Sequence, residues 1–272
     1  MSGMEVEEHI AALQRDGDLL AAAAQRAGLD ATVPSCPPWR VRDLLRHIGY
    51  VHRWAARFVV EELDRPLPDR PGEAELLRGG PADDELLSWF SVGHSGLVSA
   101  LRAADPGLSC WTFLEAPSPL AFWARRQAHE TAIHRVDAEL ASGAPAPFPA
   151  DFAADGVDEL IMGFFGRDAD ELTAPQWASR RQHLWVQTAD TGGSWLVELT
   201  YDGKLAARVR RGEALTADDG VRGESRCELT GPAAGLYLLL WNRADPAAAG
   251  VTVSGDEAVL RAWSAGMRVT WQ

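Results

Sequence analysis

Four stretches of about twenty residues each repeat their apolar side chains at helical spacing, and beyond a proline-rich break the spacing falls to two. No other feature of the chain narrows its fold as much. The first stretch, 5–27 (EVEEHIAALQRDGDLLAAAAQRA), is apolar at Ile10, Leu13, Leu20 and Ala24 and stops before Gly28, a residue suited to a helix C-cap. The second, 40–63, sets Val41, Leu44, Ile48, Val51, Ala55 and Phe58 on one stripe. The third covers 82–104. The fourth, 118–141, aligns Phe122, His129, Ala132, Ile133, Val136 and Leu140. Each stripe has to be covered by another, which predicts a four-helix bundle with one long connection at 64–81.

The break itself reads 142-SGAPAPFPAD-151, a connector between domains. A further helix is expected over 151–165. Past residue 181, HLWVQTAD, SWLVELTYDGKLAARVRR and SRCELTG alternate as strands do, with turn signals at Gly192-Gly193 and Asp202-Gly203. PAAGLYLLLWNR reads as a helix, and VTVSGDEAVLRAWSAG as a short strand and a closing helix. The fold class is therefore α+β with two domains, a helical bundle over 1–145 and a smaller α+β domain over 150–272.

Charge and composition remove several functions. A formal charge of −13 is the wrong sign for a chain that has to neutralise phosphates, so no nucleic-acid partner is expected. The arginine clusters Arg125-Arg126, Arg180-Arg181 and Arg208-Arg210-Arg211 read as solvated surface. No run approaches the ~18 apolar residues that span a bilayer, which argues against a membrane protein. The acidic N-terminus lacks the pattern of a signal peptide, so a cytoplasmic location is expected. Cys36, Cys110 and Cys227 lie far apart and form neither a disulfide framework nor a C-x-x-C pair. Any thiol chemistry would draw its thiol from a small molecule. No heptad or apolar patch specifies an oligomeric state.

One segment suggests a metal. In 126-RQAHETAIHRVDAE-139 the second histidine falls five positions after the first, one too many for the zinc-protease H-E-x-x-H word. Residues five apart sit about 140° apart around a helix, so His129 and His134 cannot share one ion. Glu130 and His134, four apart, can. A third ligand has to come from elsewhere, and the second helix offers His47 and His52, again five apart. Spacing does not choose between them. It leaves open, too, a surface Glu130–His134 pair beside an ordinary core histidine.

Three segments, 34-PSCPPWRVRDLLRHIGYVHRWA-55, 123-WARRQAHETAIHRVDAELA-141 and 229-LTGPAAGLYLLLWNR-243, together resemble the mycothiol-dependent maleylpyruvate isomerase family. The resemblance implies a DinB-like metal-binding four-helix bundle joined to a small C-terminal α+β domain. It implies a metal triad of His47, Glu130 and His134, favouring His47 over His52. Arg243 matches the arginine that such enzymes turn toward substrate carboxylates, although at a helix end it can equally offset the helix dipole. Two imidazoles and a carboxylate leave one position open on a tetrahedral ion, which suits zinc and also accommodates non-haem iron(II).

The implied cofactors are thus a divalent metal, zinc by preference, and mycothiol. The implied partners are a low-molecular-weight thiol and a small electrophilic substrate. A thiolate that adds to a conjugated cis double bond and leaves after rotation makes an isomerase, and one that stays attached makes an S-transferase. Water or O₂ in the open position would make a hydrolase or oxygenase instead, and a metal-stabilised regulator or carrier would do no chemistry. The chain departs from the pattern at Arg40, where relatives carry a capping Ser or Thr, and in its extra loop and C-terminal strand material. That leaves the substrate open.

Overall fold

Helices form where the helical period is sustained: α1 (Val6–Ala27), α2 (Val41–Glu61), α3 (Asp83–Ala103) and α4 (Pro119–Ser142). The computed structural model describes residues 4–67, 80–165, 182–201, 205–212 and 225–266, and for 199–201, 205–210 and 266 it describes the backbone alone. The described residues fall into two compact units, one over 4–146 and one from 147 onward. Most of the expected connection at 64–81 lies outside the described residues, as do the Asp202-Gly203 turn and Arg180-Arg181.

In the first unit α1 packs along α4 and α3, and α2 packs along α3 and α4. The stripes meet in a core that includes Leu13, Leu20, Leu44, Ile48, Val51, Phe90 and Leu97. The α1–α3 approach is close at Gly17, where a Cβ would stand 2.2 Å from the His94 ring. The fourth helix departs from the amphipathic expectation. Every residue from Arg126 to Glu139 is buried, so α4 is a central element and not a one-sided surface helix. Arg126, expected on the surface, is only 2% exposed. No helix among the described residues is long and apolar enough to cross a membrane.

Two histidines lie inside this bundle as neutral hydrogen-bonding groups. His52 Nε2 is 2.8 Å from Thr131 Oγ1, and His94 Nε2 is 3.0 Å from the Leu13 carbonyl oxygen. Burial holds both below the ordinary value of 6.5, His52 well below it with His94 adding to the effect. The unfolded chain therefore binds protons that the folded one refuses. Stability is full above about pH 6.5 and declines as the pH falls below it, by at most about 1.4 kcal/mol per pH unit for each group. Over the same range His134, raised to about 9, gains stability as the pH falls, so the loss is read by comparing wild type with a His52→Gln variant, which does not titrate there. Between urea midpoints at pH 7.5 and 5.5 the variant should lose less stability than wild type; an unchanged difference would refute the assignment.

The second unit opens with α5 (Ala150–Asp158), where Phe152 packs with Phe148 and Tyr237. The helix expected over 151–165 changes character at Glu159, and Glu159–Phe164 is a π-helical turn. The strands β1 (Gln182–Thr188), β2 (Ser194–Tyr201), β3 (Leu205–Arg211), β4 (Ser225–Gly231) and β5 (Thr252–Gly255) form one sheet in the order β3-β2-β1-β4-β5. Every neighbouring pair is antiparallel except β1 and β4, which run parallel. Gly192, at φ +70, allows the β1–β2 hairpin to turn, and Gly193 N donates to Thr188 Oγ1 at 2.6 Å.

Two helices complete this unit, α6 (Ala233–Leu240) and α7 (Glu257–Gly266). Trp195 and Trp263 are fully buried, their indoles donating to Asp158 Oδ1 and to the Leu240 carbonyl. The sequence predicted a helix through Arg243, but α6 ends earlier. Asn242 adopts φ 58, and Arg243 N donates back to the Leu238 carbonyl at 2.8 Å, closing a left-handed C-terminal turn.

Candidate metal centre

The buried α4 starts at Ser118, whose Oγ accepts from Ala121 N at 3.1 Å, with Pro119 in the first turn where its missing N–H costs nothing. From that start Glu130 and His134 emerge one turn apart on the same face. The second helix begins where the Asp43 carboxylate accepts from Arg40 N at 2.9 Å, and its apolar stripe docks it into the core. His47 sits one position before Ile48 on that stripe and is 2% exposed.

These three side chains converge. Glu130 Oε1 lies 3.5 Å from His47 Nε2 and 3.5 Å from His134 Nε2. All three donor atoms fall within 4.8 Å of one another. A tetrahedral zinc ion with bonds of about 2.0–2.1 Å sets its ligand atoms about 3.4 Å apart, so the donor set fits such an ion with little adjustment. Trp39 lines the site, with ring centroids 4.9 Å from His47 and 6.2 Å from His134. Glu130 and His134 keep 8% and 9% of their surface, so the triad is nearly enclosed yet still reached by solvent.

The atoms behind the triad are held as well. His134 Nδ1 is 2.8 Å from Asp137 Oδ2, which fixes the ring and directs its Nε2 toward Glu130. Asp137 in turn accepts from Ser35 Oγ at 2.5 Å and is approached by Cys36 Sγ at 3.5 Å. On the other flank, Arg126 Nη2 donates to Glu130 Oε2 at 3.0 Å.

Electrostatics follow from these contacts. Burial alone would raise Glu130, but hydrogen bonds from His134 and His47 and the charge of Arg126 hold it well below the usual carboxylate range. For His134, burial opposes the charged form, yet the hydrogen bonds to Asp137 and Glu130 raise it to about 9. Two carboxylates on one imidazole create a strong preference for a positive charge at this point, whether a proton or a cation.

The other candidates are not among the donor atoms of this triad. His52 instead bonds through Nε2 to Thr131 Oγ1 at 2.8 Å. His129 is fully buried, with its ring 6.1 Å from that of His9. Arg243 belongs to the second unit, where Nη1 donates to the Trp241 carbonyl at 2.8 Å. Sequence reasoning missed Asp137 and Arg126. Both had a signal: Asp137 follows His134 by three positions and Arg126 precedes Glu130 by four, the spacings at which helical side chains touch.

Residues 10–139 match the mycothiol maleylpyruvate isomerase N-terminal domain, and residues 151–262 match the MDMPI C-terminal domain. Among solved structures, the chain is similar to the crystal structure of the mycothiol-dependent maleylpyruvate isomerase, with a TM-score of 0.60 at 16% identity. It is similar to a histidine-to-alanine mutant of that isomerase too, with a TM-score of 0.62 at 14% identity. Each match covers 93% of this chain and 96% of the other. At such identities these two likenesses establish the fold. No curated protein matches the chain.

Proposed function

The chain belongs to the mycothiol-dependent maleylpyruvate isomerase family, and from that premise we propose that it is a metal-dependent thiol enzyme, an isomerase or S-transferase that uses mycothiol. The observation that carries this reading is the convergence of His47 Nε2, Glu130 Oε1 and His134 Nε2 at the spacing of a three-ligand site. His47, Glu130 and His134 are the residues that would hold a divalent ion, with zinc preferred on donor type. When bound, such an ion supplies an open coordination position and a charge that deprotonates an incoming thiol.

The chain's own side chains do the rest. Asp137 fixes the His134 ring through Nδ1, so that Nε2 stays directed at the site. Trp39 and the enclosing helices limit water around the reacting sulfur, which favours a nucleophile over its hydrated form. A substrate with an electrophilic carbon beside a carboxylate suits this chemistry, and Arg243 is assigned to that carboxylate, which a guanidinium can grip with two parallel hydrogen bonds.

Metal analysis and thiol titration of the purified protein test this reading. The protein should carry close to one equivalent of divalent metal, and mycothiol should shift the visible spectrum of the cobalt-substituted form. A metal-loaded protein whose cobalt spectrum ignores thiols would point to water activation or a regulator in place of a thiol enzyme.

A further inference from the structure

We propose that Arg126 is the positioning residue that confines Glu130 to a single-oxygen ligand and so keeps the fourth coordination position clear for the thiol; this rests on the metal-centre reading above. The two oxygens of Glu130 face different partners. Oε1 stands 3.5 Å from both imidazole Nε2 atoms, whereas Oε2 accepts from Arg126 Nη2 at 3.0 Å. For the carboxylate to chelate with both oxygens, Oε2 would have to swing inward and give up that hydrogen bond.

Helix stability does not account for the pair. An arginine four residues before a glutamate is the less favourable order on a helix, and Arg126, at 2% exposure, has lost the hydration that a surface pair keeps. Its charge does suit the site. The carboxylates of Glu130 and Asp137, the guanidinium of Arg126 and a divalent ion leave one net positive charge, which one thiolate neutralises. Without Arg126 the thiolate-bound site would carry a buried negative charge. Arg126 thus acts on both the shape and the charge of the open position without touching the reacting atoms.

The test compares wild type, R126K, R126Q and R126M loaded with Co²⁺, read by visible absorption and then titrated with mycothiol. Wild type and R126K, which keeps a cationic donor to Oε2, should show intense four-coordinate absorption. R126Q and R126M should show the weaker absorption of a five-coordinate ion and bind mycothiol about ten-fold less tightly, the scale on which outer hydrogen-bond partners act. A merely structural arginine would change stability and leave coordination alone, so wild-type spectra and thiol affinity in R126Q overturn the proposal even if R126M does not fold. A wild-type protein that binds no Co²⁺ overturns the metal-centre reading and this proposal with it. A wild type that binds Co²⁺ beside an unaltered R126Q overturns the role of Arg126 alone.

Discussion

A His134→Ala variant is expected to lose its divalent metal and, with it, thiol-dependent turnover. His134 supplies one of three converging donor atoms, and Asp137 holds its ring in place at 2.8 Å. Losing an outer hydrogen-bond partner typically costs 10–100-fold in metal affinity, and losing the ligand itself should cost more, roughly a thousand-fold. Chelator competition and metal analysis after dialysis measure this directly. His52→Gln is the control, because His52 is the other histidine of α2 but bonds to Thr131. That variant should keep its metal. Full occupancy in His134→Ala, or loss in His52→Gln alone, would move the site off the proposed triad and end the assignment.

An Arg135→Met variant should be the most destabilised single substitution in the bundle, by about 3–5 kcal/mol, the usual cost of stranding one partner of a buried ion pair. Arg135 is 1% exposed, with Nε 3.0 Å from Asp16 Oδ1 and Nη1 donating to Glu139 Oε2 at 2.9 Å and to the Ala146 carbonyl at 3.0 Å. Burial pushes the Asp16 carboxyl up, and Arg135 and Arg15 pull it back. Without the guanidinium, the buried Asp16 and Glu139 carboxylates lose the cation they share, although Arg15 still pairs with Asp16 at 2.7 Å. Chemical denaturation of the variant, and of Arg135→Met combined with Asp16→Asn, gives the check. The second change should recover part of the loss; a deficit below about 1 kcal/mol in the single variant would show that water already reaches the pair.

The bundle was legible because its helices announce themselves by period, and each of the four expected stretches forms one. The strands of the second unit were legible for the same reason, at period two. What the sequence could not convey was how deep α4 lies. A helix enclosed on every side needs no single apolar stripe, and its charged residues then look like surface to any reading based on periodicity. Arg126 was misjudged on those grounds. Spacing alone could not choose between His47 and His52, since both flank the α2 stripe. The early end of α6 depends on Asn242 accepting a left-handed conformation, which its sequence permits without requiring.

Glu130 and His134 come from one turn of α4, while His47 comes from α2, 83 positions earlier in the chain. In the unfolded polypeptide the first two remain neighbours, and the third is far away. A cation held by all three is therefore a crosslink that closes a loop of that length, and its effect resembles that of a disulfide bridge set between the same helices. Chelation would release that closure, so α2 should loosen from α4 before the rest of the bundle does.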